Sequence, residues 1–256
     1  MTTYAASDTG ALLGRSLKHI TRSADTIITT AITPIAMMLL FVYVFGGAIK
    51  GSTGGTNYVN YLLPGILLMA IASGIAYTAL RLFNDMQGGI FERFQSMPIA
   101  RSSVLWAHVL TSMVANAITV VIIIGVGLIM GFRSSAGPLA WLGVAGILAL
   151  FTLALTWIAV AVGLTAKSVD GATGFSYPLI FLPFISSAFV PTDTMPGPVR
   201  AFAENQPVTS IVNTISALLA ERPVDTADLV SALAWCAGIL VVAYGGAMLA
   251  YRRRIS

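Results

Sequence analysis

The chain has 256 residues, of which 57% are hydrophobic and 9% charged, with a mean hydropathy of +0.86 and a formal net charge of +4. Soluble domains carry roughly 45–50% apolar residues, so a soluble core is excluded as the destination of this much apolar surface. The Lys and Arg residues are scattered at the ends of apolar runs, without the interleaved aromatics of a nucleic-acid surface, and nucleic acid is excluded as a partner.

In chain order, residues 1–26 lack an apolar core followed by a small-residue cleavage site, so the first apolar run is expected to stay in the mature protein. Residues 9–22 place Leu13, Leu17 and Ile20 at i, i+4, i+7, with Arg15, Lys18 and Arg22 on another face. That pattern predicts an amphipathic helix lying in the headgroup layer, although Gly10 and Gly14 weaken it and leave a frayed tail as the alternative. A bilayer span needs about 20 apolar residues. The first is expected over Ile27–Ile49, with Pro34 near its start, and the second over Leu62–Leu80, opening at Pro64-Gly65. Between the second and third spans, Asn84–Arg101 is polar, charged and punctuated by Gly and Pro. The third span is expected over Val104–Met130, the fourth over Leu139–Thr165 and a short fifth over Phe175–Val190, where Pro178 and Pro183 predict kinks.

Residues 191–228 begin Pro- and Gly-rich. They continue with Val208, Ile211, Val212, Ile215, Leu218 and Leu219 at helical spacing, between Thr209, Ser210, Asn213, Thr214 and Ser216. Roughly a dozen amphipathic residues cannot cross a bilayer, so this segment is expected to dip into or rest on one face. A sixth span over Leu229–Tyr251 ends at Arg252, Arg253 and Arg254. With six spans, ten Lys and Arg fall on one side and four on the other, which predicts both termini and the Asn84–Arg101 segment on the cytoplasmic side and residues 191–228 outside. The whole chain, 1–256, is expected to be a single membrane domain.

The chemistry available inside the spans is narrow. All ten acidic residues fall in loops or at span ends, and only His108 and Asn116 stand out within a span. Ion-coupled carriers need titratable groups at membrane depth. His108 reads as an interfacial histidine, and Asn116 as an interhelical hydrogen bond or a substrate ligand. An intramembrane serine protease lacks its nucleophile turn, since Ser73-Gly74 sits in IASG without the leading glycine. Two histidines without clustered carboxylates do not fill a zinc site. The single cysteine, Cys236, excludes a disulfide framework within one chain and reads as a small buried apolar residue. No phosphate loop of the G-x-x-x-x-G-K-[ST] type is present. Active pumping would therefore need energy from another chain. Within 85–101, Ile90, Phe94 and Met97 fall at i, i+4, i+7, an apolar face suited to a partner's groove, with Glu92, Arg93 and Arg101 as rim charges and Pro98 ending the helix. An ordinary loop that anchors two spans by its positive charge is the plain alternative.

The string DMQGGIFERFQSMPIAR from Asp85 to Arg101, with its Gly88-Gly89 pair, resembles the cytoplasmic loop of type-2 ATP-binding-cassette exporter permeases, especially the actinobacterial daunorubicin-resistance permease group. A second string, residues 186–219, is similar to that family's outward segment between the fifth and sixth spans. It departs at Gln206, which separates Asn205 from Pro207 where the family often has Asn-Pro. The resemblance implies an all-α integral membrane fold of six transmembrane helices, with an N-terminal interfacial helix, a cytoplasmic coupling helix and short outward re-entrant helices. It implies partnership with two ATP-binding subunits that carry ATP and Mg, with a second permease chain and with the plasma-membrane bilayer. No cofactor and no catalytic residue is expected on this chain itself. By the same resemblance Asp85, Gly89, Ile90, Glu92, Arg93, Phe94, Met97, Pro98 and Arg101 belong to the coupling element. An outward gate, or equally a lid sealing a dimer, would comprise Pro191, Pro196, Asn205, Pro207, Thr209, Ile211 and Ile215. Tyr77, Asn116, Phe181 and Phe184 are candidates for a lipophilic path, although aromatics in spans are mostly packing. The expected function is export of a lipophilic or amphiphilic, drug-like compound. Export of a lipid or lipid-linked glycan, and a scaffold or channel without energy input, are the alternatives.

Overall fold

The computed structural model describes residues 24–46, 58–88 and 101–255, and every element among them is helical. In order they are α1 (Ala24–Leu39), which runs on as a π-helical stretch (Leu40–Phe45), α2 (Tyr58–Gln87), α3 (Arg101–Ile129), α4 (Pro138–Thr165), α5 (Val169–Gly174), α6 (Ser176–Phe181), 3₁₀ turns at Leu182–Ile185 and Thr192–Thr194, α7 (Gly197–Asn205), α8 (Pro207–Leu219) and α9 (Thr226–Ile255). Among the described residues, five segments are long and apolar enough to span a membrane: Ile28–Phe45, Tyr58–Gln87, Leu105–Ile129, Pro138–Thr165 and Thr226–Arg253.

The expected fifth span is the exception. Phe175–Val190 is not one helix but α6, a 3₁₀ turn and irregular backbone, preceded by the separate α5. Pro178 lies within α6 and Pro183 within the 3₁₀ turn. Each proline removes a backbone donor and crowds the preceding turn, which breaks the run into pieces. Two other expectations shift. Pro34 and Pro64 lie inside α1 and α2 instead of at their starts, because α2 begins at Tyr58. In addition, α2 continues through Arg81, Asn84 and Asp85 to Gln87, so the polar segment after the second span is shorter than its composition suggested.

The bundle is organised around α2, which packs against α1, α3, α4, α5, α6 and α8, and around α4, which packs against α2, α3, α8 and α9. In α2 and α4, 67% of the spanning window is buried, against 22% in α1 and α9 and 28% in α3. A helix apolar on all sides is either core or lipid-facing. Here α2 and α4 are core, while α1, α3 and α9 turn side chains such as Ile32, Val121 and Val242 outward. The two inner helices meet closely at Gly163, where a β-carbon would lie 2.8 Å from the Ala79 carbonyl oxygen.

Gly127 and Gly131, a G-x-x-x-G pair in sequence, do two different jobs. Gly127 lies against Leu63, whereas Gly131 takes φ 100° and turns the chain at the end of α3, with Phe132 N–H donating to the Gly127 carbonyl at 2.8 Å. That is a Schellman-type helix end. Asn60 then ties α2 to the turn after α3, its Nδ2 donating to Arg133 O at 2.7 Å while Arg133 N–H donates back to Asn60 Oδ1 at 3.0 Å.

Within residues 191–225 burial is concentrated in α8, whereas α7 is mostly exposed. α8 packs against α9, α4 and α2, and Val208, Ile211, Val212, Ile215 and Leu219 join the main core. Thr209, Ser210 and Thr214, read from sequence as a polar face, are buried too. Their hydroxyls are satisfied locally: Thr214 donates to Ser210 O at 2.7 Å, and Ser210 pairs with Ser231 of α9 at 3.1 Å.

Candidate functional site: a polar cleft among the spans

Polar side chains on transmembrane helices must find partners within the protein. On α3, Ser112, Asn116 and Thr119 recur at i, i+4, i+7 and so share one face. Thr78 of α2 and Thr156 of α4 meet that face. Thr78 Oγ1 donates to Ser112 Oγ at 2.8 Å, and Ser112 Oγ lies 3.4 Å from Thr156 Oγ1. Thr156 spends its own proton on Thr152 O at 2.7 Å, and Thr119 donates to Ala115 O at 3.1 Å. The row therefore has one direction, from Thr78 to Ser112 to Thr156, and each of its hydroxyl protons is used.

Asn116 closes onto the same serine. Its Nδ2 donates to Ser112 O at 2.9 Å and to Ser112 Oγ at 3.3 Å. The backbone carbonyl can only accept, which fixes the amide orientation with Oδ1 on the other side. That oxygen is buried and has no hydrogen-bond partner, in a residue 3% exposed. Leaving a buried acceptor unmade costs about 1–3 kcal/mol. Gly74 of α2 faces it, and a methyl at position 74 would overlap the Asn116 side chain. Asn116, Gly74, Tyr77, Thr78, Arg81 and Thr119 line a cleft between α2 and α3, closed on a third side by Thr30 of α1. Its free volume is about 20 Å³, room for one small polar group.

Toward the ends of α2 and α3 that flank residues 89–100, His108 Nε2 lies 3.2 Å from Asp85 Oδ2. The contact is a hydrogen bond with a neutral ring and an ion pair with a protonated one. It fastens α2 to α3 just before the chain leaves α2. Arg81 lies one turn earlier on α2 and attracts the same carboxylate. Sequence reading placed His108 at an interface; that its partner is Asp85 becomes visible only once the two helices are packed.

At the opposite end of the bundle a second polar network joins four elements. Tyr61 OH of α2 donates to Ser187 O at 2.7 Å, and Ser187 Oγ to Asn213 Oδ1 of α8 at 2.7 Å. Asn213 Nδ2 donates to Asp228 Oδ2 of α9 at 3.1 Å. Gln206, the residue that departs from the family pattern, stands between α7 and α8 and caps α8. Its Oε1 accepts from Val208 N–H at 3.2 Å while Nε2 donates to Ile185 O at 3.2 Å. On α7, Arg200 Nε donates to Glu204 Oε1 at 2.6 Å, and that hydrogen bond raises the guanidinium pKa above its usual value.

Of the candidate path residues, the structure brings Tyr77 and Asn116 together at the cleft. Phe181 and Phe184 stand apart from them, in an aromatic cluster at the π-helical end of α1. There Phe184 stacks on Phe189 with centroids 4.6 Å apart, and Phe41 lies 5.0 Å from Phe189. In the expected gate, Pro191 precedes the 3₁₀ turn at Thr192–Thr194, Pro196 precedes α7, Asn205 ends α7 and Pro207 starts α8. Thr209, Ile211 and Ile215 are buried. Asp85 lies on α2 and Arg101 begins α3. Gly89, Ile90, Glu92, Arg93, Phe94, Met97 and Pro98, and the interfacial-helix residues Leu13, Arg15, Leu17, Lys18, Ile20 and Arg22, lie outside the described residues. Among the described residues no three of His, Cys, Asp and Glu stand together as a metal site.

Long apolar helices around a buried polar cleft define a multi-pass helical membrane protein. The model of the ABC-2 type transporter family matches residues 7–219, and the chain belongs to that family. It is 30% identical over 208 residues to the daunorubicin resistance ABC transporter permease protein DrrB1 of Streptomyces coeruleorubidus, covering 80% of this chain and 72% of that one. To the probable doxorubicin resistance ABC transporter permease protein DrrC of Mycobacterium tuberculosis it is 26% identical over 242 residues, 93% of this chain and 86% of the relative. The doxorubicin resistance permease DrrB of the same organism is 27% identical over 227 residues, 82% and 73% of the two chains.

Proposed function

We propose that the chain is the membrane-spanning subunit of an ATP-driven exporter that moves lipophilic or amphiphilic, drug-like compounds out of the cell. The observation that carries this reading is the family match over residues 7–219 together with relatives named as daunorubicin and doxorubicin resistance permeases. ATP is hydrolysed on separate subunits, two per transporter, and a second permease chain completes the path across the plasma membrane. Both termini face the cytoplasm and α7 and α8 face outward, in accord with the Lys and Arg distribution.

Ile90, Phe94 and Met97 dock on the ATPase, with Glu92 and Arg93 orienting them. The continuous helix of α2 through Asp85, fastened to α3 by His108, supports a stiff route for motion from that segment into the spans. A rearrangement driven by ATP needs different contacts in its two states, and a stiff route transmits the difference.

The test is co-purification of the chain with a candidate ATP-binding subunit, followed by vanadate-sensitive uptake of daunorubicin into inside-out vesicles. Substituting Glu92, Arg93 and Phe94 together by Ala is expected to abolish both ATPase binding and uptake. Survival of both would remove the coupling assignment. For orientation, Phe202→Cys on the exposed side of α7, in a Cys236→Ala background, is expected to react with an impermeant maleimide from outside the cell. Reaction only from the cytoplasmic side would invert the topology.

A further inference from the structure

Two donors on one face of α2 stand idle at the cleft. Tyr77 and Arg81 are spaced i, i+4, one above the other, and both line the cleft. Among the described residues neither makes a hydrogen bond, and Arg81 has no ion pair. Arg81 feels the charge of Asp85, but that carboxylate is held by His108 at 3.2 Å. The protons of other wall residues are spent: Thr78 donates to Ser112, Thr119 to Ala115 O and Asn116 to Ser112. The unpaired oxygen of Asn116 is sealed beside Gly74, whereas Tyr77 and Arg81 are only partly buried, so a ligand reaches them.

The chemistry of the pair selects its complement. A guanidinium only donates and does not lose its charge, and a phenol donates beside it. Their common partner is an oxyanion, and the planar fork of arginine matches phosphate oxygens two at a time. A cationic cargo would meet a like charge at Arg81, so the pair does not serve one. Arg81 stands six residues before α2 ends at Gln87, about 9 Å along the axis. That sets it near the level where headgroups meet hydrocarbon, and basic pockets between helices at that level bind anionic headgroups.

Going beyond the exporter reading, we propose that Tyr77 and Arg81 hold the phosphate of an anionic phospholipid at the mouth of the cleft. The free volume of about 20 Å³ admits a phosphoryl oxygen and not a headgroup, so the glycerol and chains stay in the bilayer. With Thr30 of α1 and Ser112 of α3 on the other walls, the lipid sits where three helices converge, one turn from the link between Asp85 and His108.

The test is native mass spectrometry of the full-length chain, released from detergent micelles that contain equal amounts of phosphatidylglycerol and phosphatidylcholine with matched chains. The first lipid retained is expected to be phosphatidylglycerol by about fivefold, the worth of one basic residue at the headgroup level. Arg81→Gln is expected to bring that ratio to about one, and Arg81→Lys, which keeps the charge, to preserve most of it. Tyr77→Phe is expected to weaken retention of either lipid about tenfold and leave the ratio alone, since both carry the phosphate. Arg200→Gln, on exposed α7, should change neither reading. To separate the sources of phosphate, dihexanoyl phosphatidylglycerol is expected to displace the retained lipid, and inorganic phosphate at the same concentration is not.

Equal retention of the two lipids by the parent chain would overturn the proposal, as would a preference that survives Arg81→Gln. Retention untouched by Tyr77→Phe would remove the pair as the site, and this variant decides even if Arg81→Gln misfolds. Displacement by inorganic phosphate would assign the cleft to a free anion and overturn the lipid. None of these measurements uses ATP or cargo, so their failure leaves the exporter reading standing, and a failure of transport leaves this site standing.

Discussion

Asn116 on α3 and Asn213 on α8 are both amides held between helices, and they are used differently. Asn213 spends both ends of its amide, accepting from Ser187 and donating to Asp228. It thereby locks the irregular stretch after α6 to α8 and α9. Asn116 spends only its nitrogen, on a serine of its own helix, and its buried oxygen, packed beside Gly74, has no partner. A saturated polar network rigidifies the elements it joins, whereas a buried acceptor left without a donor costs stability. The end of the bundle around α8 is thus cross-linked by side chains, whereas the contact of α3 with α2 leaves one buried acceptor unpaired.

The largest effect should come from breaking the saturated network. Asn213→Leu strands the Ser187 hydroxyl and the Asp228 carboxylate together, and should destabilise the purified protein by about 2–4 kcal/mol, read as a fall in thermal midpoint in detergent. A midpoint unchanged by this variant would mean that water replaces Asn213 without loss. Gly74→Ala should follow, at about 1–3 kcal/mol, because its methyl forces the Asn116 side chain from its rotamer. Asn116→Leu removes the unmade acceptor along with the bonds to Ser112, and should stay within about 1 kcal/mol of the parent. A loss as large as that of Asn213→Leu would erase the contrast between the two sites. Smallest of all, Arg200→Ala on the exposed face of α7 should leave the melting curve unchanged, since a solvated i,i+4 pair contributes little.

Much of the bundle could be read from the order of residues because hydrocarbon imposes a length on apolar runs. The third and fourth spans were expected over Val104–Met130 and Leu139–Thr165, and run over Arg101–Ile129 and Pro138–Thr165. The second was drawn too short at both ends: Asn60, Asn84 and Asp85 look like loop residues in composition, but helix ends in a bilayer carry polar groups that reach past the apolar layer. The break in the fifth run was announced by Pro178 and Pro183, though not how completely they divide it. The short helix α8 lies where its spacing put it, but the burial of Thr209, Ser210 and Thr214 was not legible because Thr and Ser count as polar by type. Once a hydroxyl returns its proton to the carbonyl four residues back, the residue packs like an apolar one.

The site was legible only in part. Tyr77 and Asn116 could be picked out as unusual within their spans, but Phe181 and Phe184 belong to a different cluster. No spacing in the sequence links Thr78, Ser112 and Thr156, which are far apart in the chain and meet across three helices.

By itself the sequence determined that this chain lives in a membrane and roughly where its long apolar helices lie. Those properties depend on local apolar length, so they can be read one segment at a time. Tertiary structure decided which spans are core and which lie at the periphery of the chain, that α8 is buried, and which buried polar atoms are satisfied. A hydrogen bond is a pairwise fact, and the solitary oxygen of Asn116 becomes visible only when every donor around it has been placed.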